Sequence, residues 1–242
     1  MSTPYLSIII PAFNEEKSLP GTLEQAFSFL ASQPYTAEVI VVENGSQDRT
    51  LQVAQEFARE NPALRVMQSQ RGKGHAVRCG MLAAGGKYRL MCDADLSTPI
   101  GEVERFLPPA LGDADIAIGS REAPGAVRYR EPYYRHLVGR VFNGLIQTLL
   151  LPGLQDTQCG FKCFRGELAN EVFGRQTLGG WAFDVEILFI ARRLGYRIVE
   201  LPIPSHYNPG SKVRVLSDSV RMGLDLLTIR LNGWRGVYDV RR

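Results

Sequence analysis

What this chain lacks narrows it first. No apolar run approaches the ~20 residues that a membrane-spanning helix needs, so the sequence is not expected to cross a bilayer. The N-terminus has neither the basic nor the apolar region of a secretory signal, and the four cysteines, Cys79, Cys92, Cys159 and Cys163, show no paired C-x-x-C spacing. A reduced, cytoplasmic protein with thiols as small packing residues is expected. Low-complexity stretches and Pro/Gly/Ser-rich linkers are also missing, which favours a single domain over residues 1–242. Charge of one sign is nearly balanced. A net charge of +3 is too slight to call for a nucleic-acid partner, although arginines cluster after Arg121. No glycine-rich triphosphate loop stands near the N-terminus, which argues against a nucleotidyltransferase.

What is present is a repeated pattern. Leu6-Ser7-Ile8-Ile9-Ile10 is a β-branched run stopped by Pro11, and an amphipathic helix is expected from Leu19 to Leu30. Glu38 to Val42 reads as strand, Asp48 to Arg59 as helix, Leu64 to Met67 as strand and Gly74 to Ala84 as helix. Tyr88 to Cys92 is strand again, followed by a helix from Gly101 to Leu111 and a strand from Asp115 to Gly119. Such alternation predicts an α/β fold around a mostly parallel sheet, with ligands beyond the carboxyl ends of the strands. Asn14, Glu43 and Asp93 all fall there. Beyond Arg121 the pattern loosens. Leu137 to Leu151 is apolar almost all round, and Leu216, Val220, Leu224, Leu227 and Leu231 share one helical stripe. These two segments are either core helices or a surface that rests on lipid.

Leu90 to Asp95 ends an apolar run in two carboxylates at i and i+2, which share one face of a strand. Asp93 and Asp95 therefore suit a hard divalent ion, Mg²⁺ or Mn²⁺, completed by a diphosphate. Arg71-Gly72-Lys73-Gly74 precedes a helix, so its glycines permit close backbone approach while Arg71 and Lys73 neutralise phosphate. The guanidinium forks of Arg121 and Arg135 match phosphate oxygens.

Pro11-Ala12-Phe13-Asn14-Glu15, Val42-Glu43-Asn44-Gly45-Ser46, Asp93-Ala94-Asp95 and Gly119-Ser120-Arg121 together resemble the inverting glycosyltransferases of the GT-A fold, family 2. Within that group, Arg71 to Met81, Asp156 to Lys162, Phe183-Asp184-x-Glu186 and Gly210-Ser211-Lys212 are similar to the dolichyl-phosphate β-glucosyltransferases and the dolichyl-phosphate mannose synthases. The resemblance implies a GT-A, Rossmann-like sheet whose residues 1–120 bind a nucleotide sugar and whose residues 121–242 bind the acceptor through C-terminal helices. UDP-glucose is the favoured donor, with GDP-mannose the other choice, and a polyprenyl phosphate the acceptor, met at the cytoplasmic face of a membrane. It places Pro11, Asn14, Glu15, Glu43, Ser46 and Gln158 at the donor, with Glu43 standing where the family commonly has aspartate. Lys212 lies in a segment that closes over the site in the family, and His206, just before it, joins Asp93 and Asp95 as a metal candidate. Asp156 and Asp184 either orient the substrates or, with a hydroxyl acceptor, one of them serves as general base. A nucleotide-sugar-binding protein without transferase activity is the reading from a different class.

Overall fold

The computed structural model of the chain describes residues 3–130, 132–207 and 215–239, without the side chains of residues 135 and 215–220. Its first half alternates β1 (Leu6–Ala12), α1 (Leu19–Ala31), β2 (Ala37–Glu43), α2 (Thr50–Glu60), β3 (Leu64–Gln68), α3 (Lys73–Ala83) and β4 (Tyr88–Met91). β1 and β2 are mostly apolar along their length because helices cover both faces of the sheet there, while β3, at the sheet's edge, carries Arg65 and Gln68. In β1 every residue is buried. Leu6, Ile8 and Ile10 pack on the face shared with Leu19 and Leu23 of α1, while Ile9 turns to Ala76 and Val77 of α3. Each fully buried aliphatic side chain of this kind contributes about 2 kcal/mol.

The second half adds a 3-10 helix (Ile100–Phe106), β5 (Ile116–Ser120), β6 (Val127–Tyr129), α4 (Tyr133–Leu149), β7 (Lys162–Arg165), α5 (Gly166–Arg175), α6 (Phe183–Arg193), β8 (Ile198–Pro202), β9 (Pro204–His206) and α7 (Val215–Trp234). Seven strands form the central sheet in the order β3-β2-β1-β4-β7-β5-β8, and β6 pairs with β9 separately. β7 runs antiparallel between β4 and β5, with Lys162 opposite both Met91 and Ile118. The other pairings in the sheet are parallel, as the alternation predicts.

Two local expectations differ from what is found. Pro11 does not stop β1, which continues to Ala12. Its pairing with β4 ends at Ile9 opposite Met91, so the missing N–H of Pro11 costs no bond on that side. The helix expected from Gly101 to Leu111 is instead the short 3-10 helix, closed by Pro108 and Pro109, which cannot continue it.

α4 packs beside α7, and each helix has two apolar sides. Ile146 of α4 and Met222, Leu226 and Ile229 of α7 face the core. Leu137, Val141 and Leu145 of α4 and Leu224, Leu227 and Leu231 of α7 are exposed. The described part of the leucine stripe therefore points outward, because the buried side of α7 is a different row, two residues displaced and so on nearly the opposite face. Among the described residues no helix is long and apolar enough to cross a membrane.

Candidate active site

Parallel strands β1, β2 and β4 deliver their carboxyl ends to one edge, and the loops that follow are bonded together there. The Asn14 backbone, held at φ 53°, donates N–H to Ser46 Oγ at 3.0 Å, while Asn14 Oδ1 accepts from Gln47 N at 2.8 Å. Glu15 N–H donates to Thr50 Oγ1 at 2.7 Å and Glu16 N–H to Asp48 Oδ2 at 3.2 Å. Asn14 thus fastens the β1–α1 loop to the β2–α2 loop rather than capping a helix. Glu43 closes β2, accepting from Ser46 N–H and, at 3.2 Å, from Gln68 Nε2. Burial pushes its carboxyl up, but the bonds from Ser46, Gln68 and Gly45 outweigh that and hold it below the usual range. Pro11 is buried behind this edge, and Arg71 is exposed on it, its guanidinium 5.1 Å from the centre of the Phe13 ring.

Beyond β4 the chain bends through Asp93 and Asp95. Asp95 Oδ1 accepts from Ser97 N–H at 3.1 Å, and the Thr22 hydroxyl donates to Ala94 O at 2.7 Å, pinning the turn to α1. Lys73 Nζ meets Asp93 Oδ1 at 2.5 Å and lies 5.7 Å from the centre of the Trp181 ring. Burial pulls the Lys73 ammonium down, yet Asp93 first, then Asp184 and Asp95, raise it above an ordinary lysine. Gly160 passes directly against Asp93, where a Cβ would overlap the carboxylate.

On the other side of β4, Asp156 and Arg121 form a two-point pair. Arg121 Nε donates to Asp156 Oδ2 at 2.7 Å and Nη2 to Oδ1 at 2.9 Å, while Arg121 N–H adds a bond of 3.0 Å. Glu200 braces the loop, accepting from Gln155 N–H and Asp156 N–H. Burial raises the Asp156 carboxyl, and Arg121 and then Lys162 more than reverse this, leaving it depressed. Between these pairs lies a wholly buried ammonium. Lys162 Nζ donates to Asp184 Oδ1 and to Cys159 O, both at 2.5 Å, with neither Lys162 nor Asp184 reaching solvent appreciably. Burial raises the Asp184 carboxyl despite the opposing pull of Lys162 and Lys73. The buried cysteines are inert by the same physics: burial lifts Cys159 to about 11 and Cys163 to about 12.

The structure therefore brings Asn14, Glu15, Glu43, Ser46, Arg71, Lys73, Asp93 and Asp95 to one edge, and Arg121, Asp156 and Asp184 to its neighbourhood. Gln158 sits partly buried in the loop between Asp156 and Gly160. His206 is tied to the Asp95 turn through its backbone, N–H to Ser97 O at 2.8 Å, but its ring stacks on Tyr129 at 4.6 Å. Among the described residues no three His, Cys, Asp or Glu side chains converge as metal ligands, so His206 is not brought into a shared cluster with Asp93 and Asp95. The two carboxylates alone still fit a hard divalent ion: they are oxygen donors, and a positive group, the Lys73 ammonium, is already accommodated against Asp93. Arg135 is placed on α4, its side chain outside the described residues, and Lys212 lies outside them altogether. Sequence reasoning missed Gly160 and Lys162 as parts of the site. The signal was an unbroken Gly160-Phe161-Lys162 leading into a strand, legible only once that strand is known to run back beside Asp93.

Comparisons with known proteins identify the family and the fold. Residues 7–173 match the family described as Glycosyl transferase family 2. The chain is 33% identical to a dolichyl-phosphate beta-glucosyltransferase of Dictyostelium discoideum, over 98% of this chain and 77% of that protein. It is 36% identical to a human protein of the same name, over 99% of this chain and 79% of that one. Among solved structures, mannosyl-3-phosphoglycerate synthase from Rubrobacter xylanophilus superposes with a TM-score of 0.72 at 16% identity, covering 99% of this chain and 77% of that one. Glucosyl-3-phosphoglycerate synthase from Mycobacterium tuberculosis, crystallised with Mn²⁺ and UDP-glucose, gives 0.66 at 21% identity over 94% of this chain and 79% of that one. At such identities the likeness concerns the fold, which is the GT-A type. The match over most of the chain, and the relatives 33% and 36% identical across nearly its whole length, make this protein a glycosyltransferase belonging to glycosyl transferase family 2.

Proposed function

We propose that this enzyme transfers glucose from UDP-glucose to a polyprenyl phosphate of the dolichyl type, with inversion, at the cytoplasmic surface of a membrane. The observation that carries this reading is the state of the two candidate bases. Asp156 is gripped at two points by Arg121, and Asp184 is bonded to the buried Lys162. Burial pushes the Asp156 carboxyl up, but Arg121 holds it below its ordinary range, which makes it a poor proton acceptor for a hydroxyl; Asp184, whose carboxyl burial raises, is almost wholly shut off from solvent with Oδ1 bonded to Lys162. An acceptor phosphate needs no base, because it is an anion near neutral pH, and its oxygen can attack the anomeric carbon directly while the bond from that carbon to the diphosphate oxygen breaks. UDP leaves, and a β-linked lipid phosphosugar is formed.

The residues divide the work. Asn14, Glu15, Glu43, Ser46, Arg71 and Gln158 shape the nucleotide side, backed by Pro11, while Lys73 and the two carboxylates serve the diphosphate. Asp93 and Asp95 would hold Mg²⁺ or Mn²⁺, which when bound supplies Lewis-acid neutralisation of the leaving group. Asp156 orients Arg121, which with Arg135 and Lys212 receives the acceptor phosphate in line with the sugar. Glucose is preferred over mannose because of the named activity of the relatives. Membrane contact is supported by the exposed apolar sides of α4 and α7, with Arg230 stacked 5.2 Å from the Trp234 ring at their margin, a combination suited to anionic headgroups.

Incubation with radiolabelled UDP-glucose or GDP-mannose, a short polyprenyl phosphate or the corresponding free alcohol, and Mn²⁺ or EDTA tests the reading. Label is expected in the organic phase from UDP-glucose, with the phosphate only, and not with EDTA. Transfer to the free alcohol at a comparable rate would overturn the acceptor assignment.

A further inference from the structure

Lys73 opens α3 on a turn that is locked in place. Gly74 N–H and His75 N–H both donate to Gly179 O, at 3.0 and 3.4 Å, and Gln176 Nε2 donates to Gly74 O at 2.9 Å. A Cβ on Gly74 would stand 2.7 Å from Leu178 O, and one on Gly72 would collide with Gly179 O, so the two backbones approach as only glycines allow. The direction of the Lys73 side chain follows from this. Its ammonium is carried inward to Asp93 beside the Trp181 ring, and its side chain is only 17% exposed. In this arrangement Lys73 is not a solvated hook waiting for phosphate; it is the counter-charge of the acidic end of β4.

That position creates a conflict. The Asp93 oxygen bonded to the ammonium is a donor that a divalent ion would use, and a double positive charge a few ångströms from a buried ammonium is strongly repelled. A nucleoside diphosphate removes the conflict, because its oxygens offer the ammonium a new anionic partner within reach of the same turn.

We propose that Lys73 is a resident counter-ion that competes with the divalent cation for Asp93, so that the metal binds weakly to the free protein and tightly once a nucleoside diphosphate draws the ammonium away. By linkage, metal and nucleotide then strengthen each other's binding by the same factor. This rests on the donor-side role given above to Asp93 and Asp95.

The test is Mn²⁺ binding followed by electron paramagnetic resonance, without turnover, in the natural protein, Lys73→Met and Lys73→Arg, each with and without UDP. In the natural protein UDP is expected to tighten Mn²⁺ binding roughly tenfold or more, a gain of about 1.4 kcal/mol. Lys73→Met is expected to bind Mn²⁺ alone at least about tenfold tighter than the natural protein and to lose most of the gain from UDP, with Lys73→Arg staying close to the natural protein. Lys73→Gln, which keeps a hydrogen bond to Asp93 without the charge, replaces the methionine variant if that one does not fold. Uncharged variants that bind Mn²⁺ alone no tighter than the natural protein would overturn the proposal, as would undetectable Mn²⁺ binding throughout. If UDP leaves Mn²⁺ affinity unchanged in the natural protein while Lys73→Met still binds it tighter, the competition stands and the nucleotide role of the carboxylates falls.

Discussion

At the scale of single residues, Gly160 and Asp156 show how little room the site leaves. A methyl group at 160 would overlap the Asp93 carboxylate, so Gly160→Ala must displace that group by a fraction of its own diameter. Turnover is expected to fall about 100-fold or more while the thermal midpoint changes little, read from initial rates and a melting curve of the same preparation. An unchanged rate would mean that Asp93 has slack. Asp156 has a depressed folded value, so its contribution to stability is present above the unfolded carboxylate value of about 4 and is lost as pH falls through the lower folded value. Asp156→Asn is expected to cost about 2 kcal/mol at neutral pH, below the range for fully buried pairs because Arg121 is partly exposed, and to flatten the acid limb of stability. Urea unfolding at several pH values checks both. The raised value of Asp184 acts with the opposite sign, its contribution fading as pH rises, which is why its bond to Lys162 matters. Asp93 and Asp95 were singled out by their spacing together with the neighbouring motifs, and Lys73 as a cation for phosphate, whereas Gly160 and the pairing of Lys73 with Asp93 acquired meaning only through contacts across the fold.

At the scale of elements, the decisive piece is β7. Three strand-and-helix repeats up to β4 announce themselves because each strand is mostly apolar and each helix between them carries an apolar face. β7 is four residues, Lys-Cys-Phe-Arg, with a charge at each end, and no periodicity could mark it as a central strand. Its reversal between β4 and β5 puts Lys162 beneath Asp184, a residue 22 positions away. Removing the ammonium alone leaves a buried carboxylate without a counter-charge. Lys162→Met is therefore expected to lower the unfolding free energy by about 3–5 kcal/mol, and the double variant Lys162→Met with Asp184→Leu to recover most of it. Urea midpoints of the single and double variants give the coupling. Additive losses would mean that the pair does not act as a unit.

At the scale of the whole molecule, α4 and α7 leave two rows of large apolar side chains in solvent on one side of the sheet. Soluble monomers seldom expose so continuous a patch without a use for it. Val141→Glu with Leu227→Glu is expected to weaken co-sedimentation with anionic phospholipid vesicles about tenfold or more, leaving the melting temperature nearly unchanged because both positions, 64% and 52% exposed, are outside the core. Glucose transfer to a short, water-soluble polyprenyl phosphate analogue is expected to persist in that variant. Equal vesicle binding by both proteins would show that the patch serves something other than lipid. The sequence showed that each helix carried apolar residues, yet not which row would face the core.

The amino-acid order by itself determined the alternation of strands and helices, the parallel half of the sheet, and the placing of Asn14, Glu43 and the acidic pair at the carboxyl ends of its strands. These are consequences of local periodicity and of which residues can begin, fill or end an element, and they need no knowledge of distant contacts. Only the tertiary structure decided which cation answers each carboxylate, the direction of β7, the ring partner of His206 and the outward row of α7. Each of these depends on groups brought together from separate parts of the chain, as with Arg121 and Asp156, 35 residues apart, and the competition among burial, charge and space that selects such partners is resolved only when the chain is packed.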